Sequence, residues 1–530
     1  MPISMQGTMM DFPLTLSTIL DHTRLFRDVE LVSREVGFAG IFRYTYGDFY
    51  HRTRSLAAAL QRAGLRPGDR VATLMWNQYQ HLEAYFGIPV AGGVIHTLNL
   101  RLHPNELAFI ANHAEDRFLI VEKSLLPVWE KFRDRTKIEK VIVTGDDYEA
   151  FIAPGDSGYE YPVLDEDAAA AMCYTSGTTG NPKGVVYSHR AIVLHSFACA
   201  LEDAFAISEH DVILPGSSMF HANAWGFPHA AVMMGAKIVF PASDVSPEGL
   251  LDLFDREQIT FTSGVPTIWM GVLDALEKNP GRWKLSPKLR VVIAGSAAPE
   301  SIFRRFDKQG VWAIHLWGMT ETTPVATISH LQPHMQDWDE DARYEVRAKQ
   351  GVPVPFIDTR VVSDAGPCPW DGTALGELQV RGPWVASSYH NMPETADRWT
   401  ADGWFRTGDV VSIDPSGYLK IADRTKDLIK SGGEWISSVD LENALVGHPK
   451  VREAAVIAIA HPKWVERPLA LIVLRDGVAG TEEEFRDFLA QKFAKWQIPD
   501  RFVFVDELPH TSTGKLQKLT MREKFKDWQW

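Results

Sequence analysis

The chain has 530 residues, too many for a single hydrophobic core of ordinary size, so we expect at least two domains. Hydrophobic residues make up 45% and charged residues 23%, which is the composition of a globular protein and argues against long disordered segments. The formal net charge of −14 disfavours nonspecific binding to nucleic acid or to an anionic membrane surface, but it leaves room for a nucleotide held by a local cluster of donors.

The N-terminal segment shows none of the features of a secretory signal peptide. The most apolar stretch, Ala84–Ile95, contains Pro89 and is too short to span a bilayer. Three cysteines (Cys173, Cys199 and Cys368) have neither the spacing of a zinc site nor the number of a disulfide framework. We therefore expect a cytoplasmic protein without a transmembrane segment.

Strand-like runs alternate with helix-length amphipathic stretches along most of the chain. In chain order, the apolar runs at 70–74, 211–215, 237–240, 289–294 and 311–316 predict strands, and helices are expected to begin near Gln78, Ser246 and Pro299. Such alternation predicts an α/β fold in which helices cover parallel sheets. Ligands of these sheets bind at the carboxyl ends of the strands.

The sequence pattern changes near Asp423. A strand is expected over 417–422, followed by the polar, glycine-containing stretch RTKDLIKSGGEWIS and by a helix over 438–446. We therefore assign residues 1–423 to an N-terminal domain, 424–426 to a hinge and 427–530 to a C-terminal lid domain.

A glycine- and hydroxyl-rich loop follows the apolar run that ends at Thr175. Tyr174–Gly184 reads YTSGTTGNPKG. Glycines let backbone N–H groups converge on an anion, and hydroxyls with a lysine complete a triphosphate cradle. The spacing is neither that of a P-loop nor that of a dinucleotide fingerprint. The candidate ligands of the phosphates are Thr175, Ser176, Gly177, Thr178, Thr179, Gly180 and Lys183.

This string resembles the signature of the adenylate-forming superfamily, which includes acyl-CoA synthetases, luciferases and the adenylation domains of peptide synthetases. Further motifs occur in the order of that family and together cover nearly the whole chain. The resemblance implies a large N-terminal domain of parallel or mixed sheets covered by helices, with a small mobile C-terminal α+β domain. It also implies ATP, Mg²⁺ and coenzyme A as substrates and cofactors.

Two segments of the N-terminal domain resemble nucleotide-binding motifs of that family. A carboxylate beside a triphosphate is a good ligand for Mg²⁺, because hard cations take oxygen. In the segment Trp317-Gly318-Met319-Thr320-Glu321, the resemblance implies that Thr320 contacts the α-phosphate and that Glu321 holds the metal. Gly295, Ser296 and Ala297 are small residues that let a flat adenine approach the backbone.

The segment WFRTGD resembles the ribose-binding motif of the family, with Phe405 in place of tyrosine. Asp409 would accept hydrogen bonds from both ribose hydroxyls. Arg424 would support the same region. The family often has glycine where Asp423 stands, so this chain carries an additional charge beside the hinge.

The C-terminal domain carries three further resemblances. Lys515, preceded by the flexible segment TSTG, matches the lysine that reaches the developing charge between a carboxylate and the α-phosphate. Lys426 matches the hinge residue about which the small domain turns. After that rotation, a loop would replace Lys515 and form part of the channel for coenzyme A; it consists of Lys430, Ser431, Gly432, Gly433, Glu434 and Trp435.

The acid-binding pocket is expected around the string FHANAWG. Relatives that activate amino acids carry an aspartate where this chain has His221, so a substrate with a free α-amine is disfavoured. The resemblance gives His221 the role of a catalytic gate. We expect Asn223 and Trp225 to line the pocket, with Trp225 one helical turn beyond His221 and its bulky indole shortening the pocket.

These residues predict an ATP- and CoA-dependent ligase that forms acyl-CoA through an acyl-adenylate. HANAW and the later His461–Pro468 segment most resemble medium-chain fatty acid–CoA and 3-methylmercaptopropionate–CoA ligases, which implies a short or medium acyl chain, either plain or thio-substituted. An aryl acid, a carrier protein as acceptor, a luciferase-like oxygenase and a noncatalytic nucleotide-binding scaffold remain alternatives. Relatives imply a homodimer.

Overall fold

Four sheets and their covering helices account for the secondary structure of the chain. The computed structural model describes residues 7–37, 40–175, 182–431, 434–511 and 514–530. Between residues 16 and 174 the elements are α1 (Leu16–His22), β1 (Glu30–Arg34), β2 (Ile41–Thr45), α2 (Tyr46–Arg62), β3 (Arg70–Leu74), α3 (Tyr79–Val90), β4 (Val94–Thr97), α4 (Pro104–His113), β5 (Asp116–Val121), α5 (Leu126–Trp129), β6 (Lys140–Val143), α6 (Asp146–Ile152) and β7 (Ala169–Tyr174).

The middle of the chain continues the alternation of strands and helices. It contains β8 (Gly184–Ser188), α7 (His189–Ala200), β9 (Val212–Leu214), the helical turn α8 (Ala222–Trp225), α9 (Phe227–Met234), β10 (Lys237–Phe240), α10 (Pro247–Glu257), β11 (Phe261–Gly264), α11 (Pro266–Lys278), β12 (Arg290–Ile293), α12 (Glu300–Lys308), β13 (Trp312–Gly318) and β14 (Val325–Ile328).

The last third of the chain is richer in antiparallel strands. It contains α13 (Glu340–Ala348), β15 (Val352–Pro353), β16 (Asp358–Ser363), β17 (Gly366–Pro367), β18 (Gly376–Arg381), β19 (Phe405–Ile413), β20 (Leu419–Arg424), β21 (Ile429–Ser431), β22 (Glu434–Ile436), α14 (Ser438–Val446), β23 (Val451–His461), β24 (Val465–Leu474), α15 (Glu482–Ala490), β25 (Arg501–Phe504) and α16 (Lys518–Lys524).

Two large sheets are built mainly from parallel strands, as the alternating pattern predicts. The nine-stranded sheet has the order β15-β14-β13-β12-β11-β9-β10-β1-β2, and its six strands from β13 to β1 run parallel. The six-stranded sheet has the order β6-β5-β3-β4-β7-β8, in which β8 alone is antiparallel to its neighbour. Parallel sheets need helices on both faces, and the amphipathic helices between the strands supply them.

Two smaller sheets follow. The third sheet, β17-β16-β18-β19-β20, is antiparallel throughout and ends at Arg424. The fourth sheet joins β22-β21-β24-β23 and adds β25 parallel to β24. Separate apolar clusters that include Phe485 and Met521 are built from the elements of this sheet and its helices. The C-terminal region therefore has its own core and forms a separate α+β domain, and the predicted fold class is confirmed.

Several helix starts follow from local chemistry that the sequence shows. The Ser246 hydroxyl accepts a hydrogen bond from the Gly249 N–H at 3.1 Å, and Pro247 occupies the first position of α10. The Thr45 and Asp48 side chains form a reciprocal capping box at the start of α2. The strands expected at 70–74 and 237–240 and the helix expected at 438–446 have those same bounds.

Two strands extend beyond their predicted ends. β13 runs to Gly318, because Trp317 and Gly318 pair with the antiparallel strand β14. β20 runs to Arg424, because Asp423 and Arg424 pair with residues of β19. Both strand ends depend on cross-strand partners that are far away in sequence, so the local sequence pattern cannot predict them.

None of the helices in the described part of the chain combines the length and the apolar composition needed to cross a bilayer.

Candidate active site

The candidate nucleotide residues lie where neighbouring parallel strands end. β12 leads into Gly295, and its neighbour β13 leads into Thr320 and Glu321. The carboxyl ends of adjacent parallel strands meet at one edge of a sheet, so these segments are neighbours in space. The loop after β7 contains Ser176, Gly177, Thr178, Thr179 and Gly180, which lie outside the described residues.

Glu321 is a buried carboxylate in a short 3₁₀ turn, Thr320–Thr322. The Tyr389 hydroxyl donates to its Oε1 at 2.5 Å, and burial, with the Glu321 charge next, holds the pKa of Tyr389 far above its usual value. The Lys183 ammonium lies 5.8 Å from the centre of the Tyr389 ring. The Tyr187 hydroxyl donates to the Thr320 carbonyl at 2.7 Å. Tyr389 and Tyr187, from two separate segments, therefore fix the Thr320–Glu321 turn, and Lys183 lies beside Tyr389.

Gly318 and Met319 shape the approach to that turn. A Cβ on Gly318 would lie 1.8 Å from the Pro324 carbonyl oxygen, so no other residue fits this backbone. The Met319 N–H donates to the Thr322 hydroxyl at 2.9 Å. Gly318 and Met319 therefore fix the course of the backbone, which places the Glu321 carboxylate just beyond the end of β13.

Asp409 is fully enclosed and has two partners in the structure. The Trp317 indole N–H donates to its Oδ2 at 2.8 Å, and the Arg424 Nε lies 2.5 Å from its Oδ1. Asp409 and Arg424 are also cross-strand partners on β19 and β20. A charge-assisted bond of this kind is short and directional. Trp317 and Arg424 therefore fix the orientation of the carboxylate that the sequence assigns to the ribose.

The segment after β12 has the small side chains that the adenine assignment needs. Gly295 has φ +91°, and a Cβ there would lie 3.0 Å from Val265 Cγ1 and 4.0 Å from Lys515 Cε. Ser296 is exposed, and Ala297 is half-buried. A side chain at position 295 would therefore press against Val265 and reach the C-terminal lysine.

Lys515 of the C-terminal domain reaches into the cleft of the N-terminal domain. Burial, with the Arg424 guanidinium next, lowers the pKa of Lys515 to about 8, although the carboxylates of Asp409 and Glu321 oppose this shift. Its backbone N–H donates to the Thr511 hydroxyl at 3.1 Å. The predicted catalytic lysine thus shares one electrostatic environment with both predicted nucleotide carboxylates.

His221 lies within the electrostatic range of Lys515. Burial, followed by the charges of Lys515 and Arg101, lowers the pKa of His221 to about 3. Arg101 also packs against Phe220, with its guanidinium carbon 5.9 Å from the ring centre. The imidazole is therefore neutral near pH 7, and the positive charges near it favour an anionic ligand.

The turn that follows His221 is left-handed, in contrast to the right-handed helical turn that the sequence suggests. The residues from Ala222 to Trp225 all have φ between +43° and +60°, and Gly226 follows with φ +74°. L-residues other than glycine and asparagine enter this region at a cost of about 1–2 kcal/mol each. A turn of this kind is stable only where its surroundings hold it.

Asn223 and Trp225 are both buried in this turn. The Cys173 thiol donates to Asn223 Oδ1 at 3.2 Å, and burial raises the pKa of Cys173 to about 11. Gly226 lies against His195, where a Cβ would approach the imidazole to 2.5 Å. The Asn223 side chain therefore faces the strand β7, and we assign it to holding the turn that carries Trp225.

The hinge and the predicted coenzyme A loop lie at the start of the C-terminal domain. Lys426 lies in an exposed turn closed by the Leu428 N–H, which donates to the Arg424 carbonyl at 3.0 Å. Lys430 lies 4.8 Å from the exposed ring of Trp435, and the Ser431 hydroxyl accepts a bond from Arg467 at 3.1 Å. The other members of the loop are Glu434, which opens β22, and Gly432 and Gly433, which lie outside the described residues.

Sequence reasoning missed several residues of this site. Tyr389, Tyr187 and Arg101 belong to no motif, and their roles follow from contacts across more than sixty residues or from shared charge. Val265 and Thr267 lie beside Gly514, where a Cβ would be 3.5 Å from each. The sequence itself displays two departures from the family's motifs, Phe405 in place of tyrosine and Asp423 in place of glycine.

Comparison with known proteins places the chain in a family. The model of the AMP-binding enzyme family matches residues 27–390, and that of the AMP-binding enzyme C-terminal domain matches residues 440–515. A long-chain-fatty-acid–CoA ligase of Thermus thermophilus is 49% identical over 98% of this chain and 97% of its own length. A 3-methylmercaptopropionyl-CoA ligase of Ruegeria pomeroyi is 43% identical over 99% of both chains.

Further relatives agree in sequence and in structure. A medium-chain-fatty-acid–CoA ligase of Ectopseudomonas oleovorans is 41% identical over 99% of this chain and 98% of its own. The crystal structure of the anthranilate CoA ligase AuaEII in complex with anthranoyl-AMP superposes with a TM-score of 0.87 at 26% identity, covering 97% of this chain and 98% of the other. The chain therefore belongs to the AMP-binding enzyme family, within the adenylate-forming superfamily that its motifs indicate.

Proposed function

We propose that this protein is an AMP-forming acid–thiol ligase that converts an amine-free carboxylic acid into its coenzyme A thioester. The observation that carries the proposal is the convergence of Lys515, Glu321 and Asp409 in one cleft, although they come from three distant segments. The sequence relatives at 41–49% identity are named for aliphatic or thio-substituted acids, which supports ATP, such an acid and coenzyme A as substrates.

In the first half-reaction, a carboxylate oxygen of the acid attacks the α-phosphorus of ATP and pyrophosphate leaves. Lys515 is the residue that we expect to neutralise the charge developing between the two reacting groups. Thr320 would contact the α-phosphate, and Asp409 would hold the ribose hydroxyls. No protein nucleophile is needed, because alignment and charge neutralisation are sufficient for this transfer.

The nucleotide would lie along the edge of the sheet that Gly295 and Thr320 define. The small, partly to fully exposed residues of the 295–297 segment fit a flat adenine, and Lys183 beside Tyr389 fits the triphosphate end. In the second half-reaction, the C-terminal domain would turn about Lys426 and bring the loop from Lys430 to Trp435 toward the site. The thiol of coenzyme A would then displace AMP.

The residues present fit a magnesium ion at Glu321. One oxygen of its buried carboxylate is occupied by the Tyr389 hydroxyl, and Mg²⁺ bound to nucleotides often takes only one or two carboxylates from the protein. Within the described ranges no group of three or more His, Cys, Asp or Glu side chains could hold a metal without a substrate. Bound there, the ion would neutralise charge on the phosphates of ATP.

The surroundings of His221 support an acid without an amine. Lys515 and Arg101 both act on its imidazole as positive charges, so the same environment attracts a carboxylate and repels an ammonium group. Trp225 is buried in the rigid turn beyond His221, which supports a short or medium acyl chain. Because one relative is named for long-chain acids, the chain length is the part of the proposal that most needs measurement.

Pyrophosphate release across straight-chain acids of graded length, with and without coenzyme A, tests the function. We expect release with amine-free acids, an acyl-CoA product in the presence of coenzyme A, and a decline in kcat/KM for the longest acids. Amino acids of matched length are the control and should give no release. Turnover with a carrier protein in place of free coenzyme A, or no release with any acid, would contradict the proposal.

We further propose a cytoplasmic location, which the three free cysteines support, and a homodimer, which the resemblance to the adenylate-forming superfamily implies.

A further inference from the structure

Asp423 is the residue of the hinge region whose role the proposed reaction leaves unexplained. It is 1% exposed, and a carboxylate is rarely buried to this degree without partners. It lies on β20, the edge strand of the third sheet, three residues before Lys426. Asp423 therefore belongs to the N-terminal side of the hinge.

The partners of the Asp423 carboxylate lie on the other side of the hinge. Its Oδ2 accepts from the Ser438 N–H at 2.9 Å and from the Ser438 hydroxyl at 2.5 Å. Ser438 is the first residue of α14, so the carboxylate also meets the positive end of a helix. The neighbouring Ser437 hydroxyl donates to the Ala422 carbonyl across the same boundary.

A lysine of the C-terminal domain completes this contact. Lys518 Nζ donates to the Ser438 hydroxyl at 2.5 Å and lies 2.7 Å from Glu442 Oε1. The Asp423 and Glu442 charges raise the pKa of Lys518 against the opposing effect of burial. Lys518 is therefore paired directly with Glu442 and is linked to Asp423 through the Ser438 hydroxyl, which donates to Asp423 and accepts from Lys518.

Successive side chains of β20 point to opposite faces of the sheet, so its last two residues have different partners. Arg424 turns to the nucleotide side and pairs with Asp409, whereas Asp423 turns to α14. The backbone N–H of Arg424 also donates to Asp423 Oδ1 at 2.8 Å. The last two residues of one strand therefore contact the nucleotide site and the C-terminal domain at once.

We propose that Asp423 is a positioning residue that holds the C-terminal domain in the orientation that places Lys515 in the cleft. The inference rests on the proposed function, in which that orientation performs the adenylation step. A rotation about Lys426 must separate Asp423 from Ser438, because the hinge lies between them. The contact therefore stabilises one orientation and not the other, which is what shifts a conformational equilibrium.

The first test compares the two half-reactions in Asp423→Ala. Each turnover passes through both orientations of the C-terminal domain, so neither orientation is strongly favoured in the parent protein. Loss of a charged hydrogen bond should therefore lower ATP–pyrophosphate exchange by about tenfold or more. Thioester formation from synthetic acyl-adenylate should stay within about twofold of the parent protein. Equal loss in both half-reactions, or no loss in exchange, would overturn the inference.

Glu442→Gln is the matched control for damage to the cluster. Glu442 contacts Lys518 and the Val456 N–H, both within the C-terminal domain, so its loss should affect both half-reactions alike. Lys515→Ala in parallel checks the assumption beneath the test. If Lys515→Ala leaves exchange intact, the proposed role of Lys515 fails, whatever Asp423→Ala does.

The second test measures orientation without catalysis. Spin labels at Lys308→Cys and Asp476→Cys, in a Cys368→Ser background, report one distance between the two domains. Adding Asp423→Ala should move population from the parent distance to a second one, and Asp423→Asn should move less. An unchanged distance distribution would overturn the inference even if activity falls.

Discussion

At the scale of single residues, charge and burial decide more of this site than hydrogen bonding does. Lys515 is the clearest case, because burial and Arg424 lower its pKa while Asp409 and Glu321 raise it. Burial lowers the pKa of His221 and of Lys515 alike, because it disfavours the charged form of each group. In the free enzyme, the pKa of Lys515 therefore lies close to physiological pH.

The pH dependence of adenylation should report this lysine. An ammonium group is charged below its pKa and neutral above it, so kcat/KM for ATP–pyrophosphate exchange should fall as pH rises through about 8. The Lys515→Arg variant keeps its charge over this range and should show a lower but flat profile. A parent profile that stays flat up to about pH 9.5, or the same decline in Lys515→Arg, would contradict the assignment.

At the scale of elements, the left-handed turn α8 is the part that the sequence pattern describes least well. Four consecutive positive φ angles precede Gly226, and periodicity cannot distinguish the hand of a turn. Asn223 and Gly226 are a partial indication of a left-handed turn, since asparagine and glycine tolerate positive φ angles better than other residues do. The contact between Asn223 and Cys173 joins positions fifty residues apart, so no local pattern contains it.

Substitutions at Asn223 should separate the backbone effect from the contact effect. Asn223→Ala loses both the tolerance for φ +51° and the acceptor for the Cys173 thiol, at a cost of about 1–2 kcal/mol. Asn223→Gly loses only the acceptor, so thermal midpoints should fall in the order parent, Asn223→Gly, Asn223→Ala. The acid-length profile should broaden in both variants as Trp225 loosens.

Cys173→Ala is the matched partner in this series. It should behave like Asn223→Gly, and the double variant should cost no more than either single variant if the two side chains interact only with each other. Additive losses would show that the thiol and the amide act separately.

The elements also show where sequence reasoning succeeds. The strands at 70–74 and 237–240, the helix at 438–446 and the Ser246 cap were predictable, because each depends on neighbours within one turn or one strand. The motif residues Gly295, Glu321, Asp409 and Lys515 were predictable as a set, and the structure brings them together. The ends of β13 and β20, the contact of Tyr389 with Glu321 and the contact of Trp317 with Asp409 depend on residues far away in sequence and were not predictable.

At the scale of the whole molecule, an exposed ion pair also bridges the two domains. The Arg475 Nη1 lies 3.5 Å from Asp274 Oδ2, and Asp274 is shared with Arg305 at 2.6 Å. Both side chains of the bridging pair are about one third exposed. Water and salt screen such a pair, so it should contribute far less than the buried contact of Asp423.

Arg475→Ala should lower ATP–pyrophosphate exchange by less than about fivefold, and the effect should vanish at about 1 M salt. Thioester formation from acyl-adenylate should not change. Arg452→Ala is the control, because Arg452 has similar exposure but pairs with Asp476 inside the C-terminal domain. A loss as large as that of Asp423→Ala would mean that the exposed pair carries the domain orientation.

The separate core of the C-terminal domain has a thermodynamic consequence. Its two large apolar clusters are built from its own sheet and helices. The contacts with the N-terminal domain comprise ionic and hydrogen-bonded bridges and one small apolar cluster of Val410, Ala422 and Leu428. Reorientation then transfers little hydrocarbon surface into water, so its heat-capacity change should be small. The balance between the two orientations would vary little with temperature and would respond instead to ions and to bound nucleotide.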